Sequence, residues 1–216
     1  MTYSPGKSNN TNLDDANMHG IFAPLCQPHK EEPKMNKSIG YLIVIVSCLF
    51  SSYAIAGTTE KRYELPNHGV LLLNVPDKWV DQVRRPPADL PPTIRFTQQT
   101  GEQFEILFTP LWKMPGAQVD FGTARGIKNL VEGAAMEVAS QAVEKNIIVK
   151  ELSGSNIGYY FSATDKAPKP GEYKYMSQGA VGINEIMATF TILTNSPEAE
   201  VVDQAITMFG NMKHSQ

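Results

Sequence analysis

The chain has 216 residues, with 19 basic and 22 acidic side chains and a net charge of −3. Basic and acidic residues are equal in number over residues 1–56, so the rest carries the same −3 and no basic block; a nucleic-acid-binding domain would show such a footprint, and no nucleic-acid partner is expected. The only cysteines, Cys26 and Cys48, lie before residue 57, which removes disulfides, thiol nucleophiles and thiolate metal sites from everything downstream.

Residues 1–34 are rich in Asn, Pro, Lys and Glu and show neither helical nor strand period. They read as a disordered or spurious N-terminal extension, with Met35 as the expected physiological start. In residues 35–56, Lys37 precedes an apolar run from Ile39 to Phe50, small residues follow, and Ala54-Ile55-Ala56 closes the segment. A short basic region, an apolar core and an Ala-x-Ala site make a secretory signal peptide, with cleavage between Ala56 and Gly57. Two alternatives stay open. The 39–56 segment just reaches the length of a spanning helix and could be retained as an anchor. Ile45-Val46-Ser47-Cys48 has the look of a lipid-attachment site, although Leu49-Phe50 is an apolar start for a tether.

Cleavage leaves 160 residues, one ordinary domain with room for a core. Residues 57–64 are polar and read as a mature N-terminal tail, followed by a single alpha-beta domain over 65–213. Leu65-Pro66-Asn67-His68-Gly69 is a turn, and Val70 to Val75 is a buried strand stopped by Pro76. Trp79 and Val80 fold back on the core. Arg84 to Pro92 is a proline-rich loop, because proline supplies no backbone donor. Thr93–Thr97 and Phe104–Thr109 form a hairpin in which Phe104, Ile106 and Phe108 share one face while Glu105 and Thr109 lie on the other.

Pro110 to Phe121 reads as a loop carrying Trp112 and Met114. A long helix is expected from Thr123 to Lys145, with Ile127, Leu130, Val131, Ala134, Val138 and Ala142 on one face, Asp120 or Thr123 as cap and Asn146 at its end. Ile147–Leu152 returns as a strand, and Ile157–Thr164 comes after Gly154-Ser155-Asn156. Tyr173–Val181 and Glu185–Thr194 form a further hairpin around Gly182-Ile183-Asn184. Ile186, Ala188, Phe190 and Ile192 alternate with Met187, Thr189, Thr191 and Leu193. A closing helix follows Asn195-Ser196-Pro197-Glu198, a start signal with proline in the first turn, with Val201, Ala205, Met208, Phe209 and Met212 as its stripe. The expected fold is α+β: an antiparallel sheet of six to seven strands covered by a long central helix and a C-terminal helix.

With Leu73-Asn74-Val75-Pro76-Asp77-Lys78-Trp79, a strand ending in Pro-x-x-Trp, and the terminal strand-then-helix, this order resembles the PsbP-like and DcrB-like alpha-beta-alpha sandwich group. The resemblance spans Val70 to Met212. It implies an accessory or interaction domain, commonly exported in bacteria, and transfers no site residue.

No catalytic constellation is legible. His68 is the one histidine inside the expected domain core and reads as a turn residue, with His214 in the tail; no spacing supplies a zinc site. Ser153 and Ser155 read as turn residues, Gly179 and Gly182 as strand bulges or turn points, and Asp165 and Glu172 as flanks of a solvated loop rather than calcium ligands. No cofactor or metal is expected. The candidate binding residues are aromatic: Trp112, either a lid over the core or an exposed anchor, and Tyr159 and Tyr160, which with Tyr173 and Tyr175 could align across neighbouring strands as packing or as a partner-binding face.

The leading expectation is a non-catalytic envelope protein, periplasmic or secreted, of a Gram-negative bacterium, with an envelope protein as partner. One alternative is a periplasmic small-molecule binder or hydrolase with a pocket between sheet and long helix, drawing on Arg95, Glu105, His68 or tyrosines. The other is a membrane-anchored domain with an uncleaved 39–56 segment.

Overall fold

A computed structural model describes residues 57–87, 90–113, 122–197 and 199–216. The extension, the signal segment up to Ala56, both cysteines, Met114 and Asp120 lie outside the described residues. Among the described residues, five strands come first: β1 (Thr58–Glu64), β2 (Val70–Pro76), β3 (Trp79–Arg84), β4 (Thr93–Gln98) and β5 (Phe104–Trp112). Helix α1 (Ala124–Ala139) is followed by β6 (Lys150–Glu151), β7 (Ile157–Thr164), β8 (Tyr175–Ile183) and β9 (Ile186–Thr194), then α2 (Glu200–Gly210) and β10 (Lys213–Ser215). No helix among them is long and apolar enough to cross a membrane.

The strands make a seven-stranded antiparallel sheet in the order β3-β4-β5-β9-β8-β7-β6 and a three-stranded sheet in the order β1-β2-β10. The α+β reading therefore holds, with the large sheet at seven strands and a second small sheet added. Period-two alternation gives the large sheet two usable faces. On one face Ile94, Phe96, Ile106, Phe108, Phe190 and Ile192 meet Leu71, Leu73 and Val75 of β2 and the stripe Val201, Ala205, Met208 and Phe209 of α2. On the other, Ile127, Val131 and Ala135 of α1 pack on Phe161, Ala163, Ala180 and Met187.

The first core is centred on Phe209, whose ring stacks on Phe108 at 4.7 Å between centroids and lies 4.9 Å from Phe190. Aromatic pairs at that spacing add to the gain from burial. The end of α2 is fastened by Asn156, whose Nδ2 donates to the Met212 carbonyl at 2.8 Å and to that of Phe209 at 3.3 Å. Backbones approach closely here, and a Cβ on Gly210 would overlap the Ser153 carbonyl oxygen. The two sheets are tied by Asp81 of β3, which takes a hydrogen bond from Tyr63 Oη at 3.0 Å and an ion pair from Lys61. Burial pushes the Asp81 carboxyl up, but the bonds from Lys61 and Tyr63 outweigh it and hold the group below the usual carboxylate range.

Several expected elements change. The segment read as a tail, residues 57–64, contains β1, which pairs along the whole of β2 from Thr58↔Pro76 to Glu64↔Val70. Its polar side chains suit an edge strand with one face in water. Strand β3 runs on through Arg84, one residue into the segment read as loop. Strand β5 runs through Pro110 to Trp112, so Trp112 is not on a loop. Proline is tolerated there because the pairing of β4 with β5 stops at Ile94↔Phe108, leaving no ladder on that edge to break.

Helix α1 is shorter than its apolar spacing predicts. Thr123 caps its start, its Oγ1 accepting from the Gly126 N–H at 3.1 Å, but the helix ends at Ala139. Beyond it Ala142 bridges Asp165, and the Glu144 carboxylate accepts from the Thr164 N–H and hydroxyl at 2.8 and 2.7 Å. Those non-local bonds win over continued helix. Of 147–152, only Lys150–Glu151 is strand, at the sheet edge. The β8–β9 turn is Asn184-Glu185, with Asn184 at φ 51°. Gly179 and Gly182 sit in an unbroken register rather than at bulges. Helix α2 starts at Glu200, after Ala199, so Pro197 precedes it rather than lying in its first turn. His214 belongs to β10, opposite Leu71 of β2, and not to a tail.

Two consequences are measurable. Phe209→Ala should cost about 3–5 kcal/mol of unfolding free energy in urea, the range for deleting a buried phenyl ring. Asp81, with its folded pKa depressed, contributes stability that is full above its unfolded pKa of about 3.9 and is lost as pH falls through the folded value. The stability gap between the parent and Asp81→Asn should therefore be largest at neutral pH and close as pH falls below the ordinary carboxylate range, read from urea midpoints across pH.

Candidate functional site

Helix α1 packs on β7 and β8. The same face of β3, β4, β5 and β9 carries an open groove of about 1040 Å³, walled at one end by the proline-rich loop. Its floor is set by strand register. One row runs Arg84, Thr93, Thr109, Thr189, Ala180, from Arg84↔Thr93, Thr109↔Thr189 and Thr189↔Ala180, with the Thr93 and Thr109 hydroxyls hydrogen-bonded at 3.0 Å. The next runs Gln82, Arg95, Leu107, Thr191, Gln178, Phe161. Both rows begin at a polar residue on β3 and end at a residue buried under α1, Ala180 or Phe161.

The groove is electrostatically uneven. Arg95 Nε donates to Glu105 Oε1 at 2.7 Å, and that bond together with the carboxylate's charge raises the Arg95 pKa. Tyr173 nearby is pushed up by burial and then by the Glu105 charge, partly offset by Arg95. Glu105 is thus matched inside the groove. Arg84 and Arg85 are exposed and enter no ion pair among the described residues. Where the floor meets α1, a crevice of about 120 Å³ opens beside Leu130, between Val131, Ala134 and Phe161.

The aromatic candidates are elsewhere. Trp112 is buried, 7% exposed, and stacks on His68 with ring centroids 4.3 Å apart. The other ring in that corner is His214, whose Nε2 donates to the His68 carbonyl at 2.7 Å. Asn184 Nδ2 lies 3.4 Å from His214 Nδ1. Gln216 donates to the neighbouring Glu185 at 2.9 Å and lowers that carboxyl's pKa. This corner fastens the C-terminal strand to the β8–β9 turn. Tyr159 and Tyr160 are half-buried on opposite faces, Tyr159 against the α1 cluster and Tyr160 against the larger core. Register places Tyr159 opposite Ala180 and Tyr175 opposite Thr164, so the tyrosines do not line up across strands.

Among the described residues, no group of three or more His, Asp or Glu side chains is placed to hold a metal ion. Asp165 and Glu172 accept from the Ala167 and Lys169 backbone N–H groups of their own loop. Arg95 and Glu105 do meet, while His68 belongs to the separate Trp112 corner. The pocket expected between sheet and long helix is reduced to two small openings, the crevice and one of about 230 Å³ between Val138, Ala163 and Met176. Arg84, Thr189, Thr191 and Gln178 were not singled out as binding residues, although alternation had already put Thr109, Thr189 and Thr191 on the faces opposite the phenylalanines.

No protein-family model matches the chain, and no curated protein does. Among solved structures it is similar to the solution structure of cyanobacterial PsbP (CyanoP) from Synechocystis sp. PCC 6803. The likeness covers 76% of this chain and 96% of that one, at 13% identity and a TM-score of 0.43. That structure is of the PsbP-like group that the sequence resembles. At that identity and TM-score it brings no site residue and no activity to this chain.

The Arg95–Glu105 pair is exposed enough for water to screen it, so its part in stability is small. Glu105→Gln should change unfolding free energy by under about 1 kcal/mol, read from urea midpoints. A larger loss would mean that the pair holds the groove's shape rather than its charge.

Proposed function

We propose that the chain is an exported accessory domain of a Gram-negative cell envelope that works by binding another envelope protein, not by catalysis. The observation that carries this reading is the groove on the free half of the large sheet. Its carboxylate is neutralised by Arg95 in direct contact, and its floor is threonine and glutamine around Leu107. Such a surface offers hydrogen bonds and charge for recognition, whereas general acid–base work needs a titratable group aimed at a reacting atom. The small-molecule or hydrolase reading is weaker, because the openings between the sheet and the long helix, about 120 and 230 Å³, are under the usual ligand pocket of about 300–1,000 Å³.

Export is supported by the basic, apolar and Ala-x-Ala order of residues 35–56. A cut there is also compatible with the described strands. Gly57, the residue after the expected cut, accepts a hydrogen bond from the Asp77 N–H at 2.9 Å, and β1 begins at the next residue. A cut at Ala56–Gly57 would leave the pairing of β1, β2 and β10 intact.

Expression of the full chain in a Gram-negative host should yield a soluble periplasmic species whose intact mass begins at Gly57. A membrane-bound species retaining residues 39–56 would favour the anchored form, and an unprocessed cytoplasmic one would exclude export. For the binding role, a photo-crosslinker at Leu107, in the groove, should give an envelope adduct. A control at Met136, 76% exposed on α1, should not. Equal or absent adducts at both positions would remove the binding reading.

A further inference from the structure

We infer that the groove takes an extended acidic segment of a partner protein, with carboxylates on Arg84 and Arg85 and an apolar side chain in the crevice beside Leu130. This rests on the binding reading above and names the chemistry of the partner.

Charge is the first argument. The chain carries −3 overall, yet the loop end of the groove presents Arg84 and Arg85, exposed and without ion-pair partners among the described residues, while Glu105 is already matched by Arg95. Asp89, the one acid in that loop, lies outside the described residues. A guanidinium presents a planar fork that carboxylates match with two hydrogen bonds. Acidic side chains are thus favoured at that end and basic ones opposed.

Shape is the second. From β3 to β8 the groove crosses β4, β5 and β9, four strand spacings of about 4.8 Å, or about 19 Å in all. An extended chain advances about 3.3 Å per residue, so about six residues span that distance. Thr189, Thr191 and Gln178 are half-buried and make no side-chain hydrogen bond among the described residues, so they are available to backbone amides and carbonyls crossing the floor. The far end changes character: Leu130 is over a third exposed, and the crevice beside it is apolar. Its 120 Å³ suits one aliphatic side chain. A phosphate or lipid headgroup would use the arginines but leave the polar floor and the crevice unused. A peptide uses all three.

The test is fluorescence anisotropy with the full chain and a labelled probe, acetyl-Asp-Asp-Thr-Ser-Thr-Leu-amide, against the same peptide starting Lys-Lys. The acidic probe should bind saturably, weaken as salt is raised, and lose at least tenfold in affinity with Arg84→Glu/Arg85→Glu. Leu130→Ser should cost several-fold while leaving the salt dependence unchanged. Both variants alter exposed positions, and an unchanged Tm verifies their folding. Equal binding of the two peptides, or no loss in the double arginine variant, overturns the inference. So does co-sedimentation with phosphatidylglycerol vesicles that depends on the two arginines when the peptide does not bind; that result assigns the arginines to a lipid surface. If peptide binding fails while the Leu107 adduct still forms, the acidic segment is wrong and the binding reading stands.

Discussion

A single α-helix is about 10 Å across, and a sheet of seven strands about 4.8 Å apart is far wider. That mismatch governs this protein. One face of the large sheet is covered by a second sheet and α2, and buries aromatic side chains out to β4. Among the described residues, the other has only α1, which sits on β7 and β8. Among the described residues half of that face is left uncovered, and it is largely polar: threonines, glutamines and arginines alternate with the phenylalanines and isoleucines of the core behind them.

The position of α1 is itself decided by the segment at its C-terminal end. The bonds from Ala142, Val143 and Glu144 to Thr164 and Asp165 fasten the helix exit to the end of β7. A helix held there lies over β7 and β8 and leaves β9, β5, β4 and β3 open. The groove is thus a product of helix placement, not of any inserted loop. The proline-rich segment only walls its end, which suits a segment that cannot join a sheet ladder.

The opposite face is rigid for a different reason. Phe209 stands between Phe108 and Phe190, while Asn156 ties off the carbonyls at the end of α2. Strand β10 then returns beside β2, where His214 reaches the His68 carbonyl and His68 lies on Trp112. A histidine pair beside a tryptophan resembles a site when seen as residues. In place it is a clasp closing the C-terminus against the start of the domain. The floor of the groove is carried on strands anchored from behind by this core, so its side chains are set by register rather than by mobile loops.

By itself the sequence determined the class of fold, because alternation at period two and the three-and-four spacing of Ile127 and Val131 are local signals that burial enforces. It also carried the leader pattern before Gly57, the thiol-free composition of the domain, and the facing of Glu105, Thr109, Thr189 and Thr191. It did not determine that residues 58–64 are a strand, since an exposed edge strand needs no apolar run, only a partner such as β2. Nor could it stop α1 at Ala139, because the competing partners lie some 20 residues away at Thr164. Trp112 and His68 are far apart in the chain, and only the crossing of β5 with the β1–β2 turn brings their rings together. The groove was invisible for the same reason. Arg84, Thr109, Thr189 and Gln178 come from four strands, and which residues share a row depends on strand order and register, which are tertiary facts.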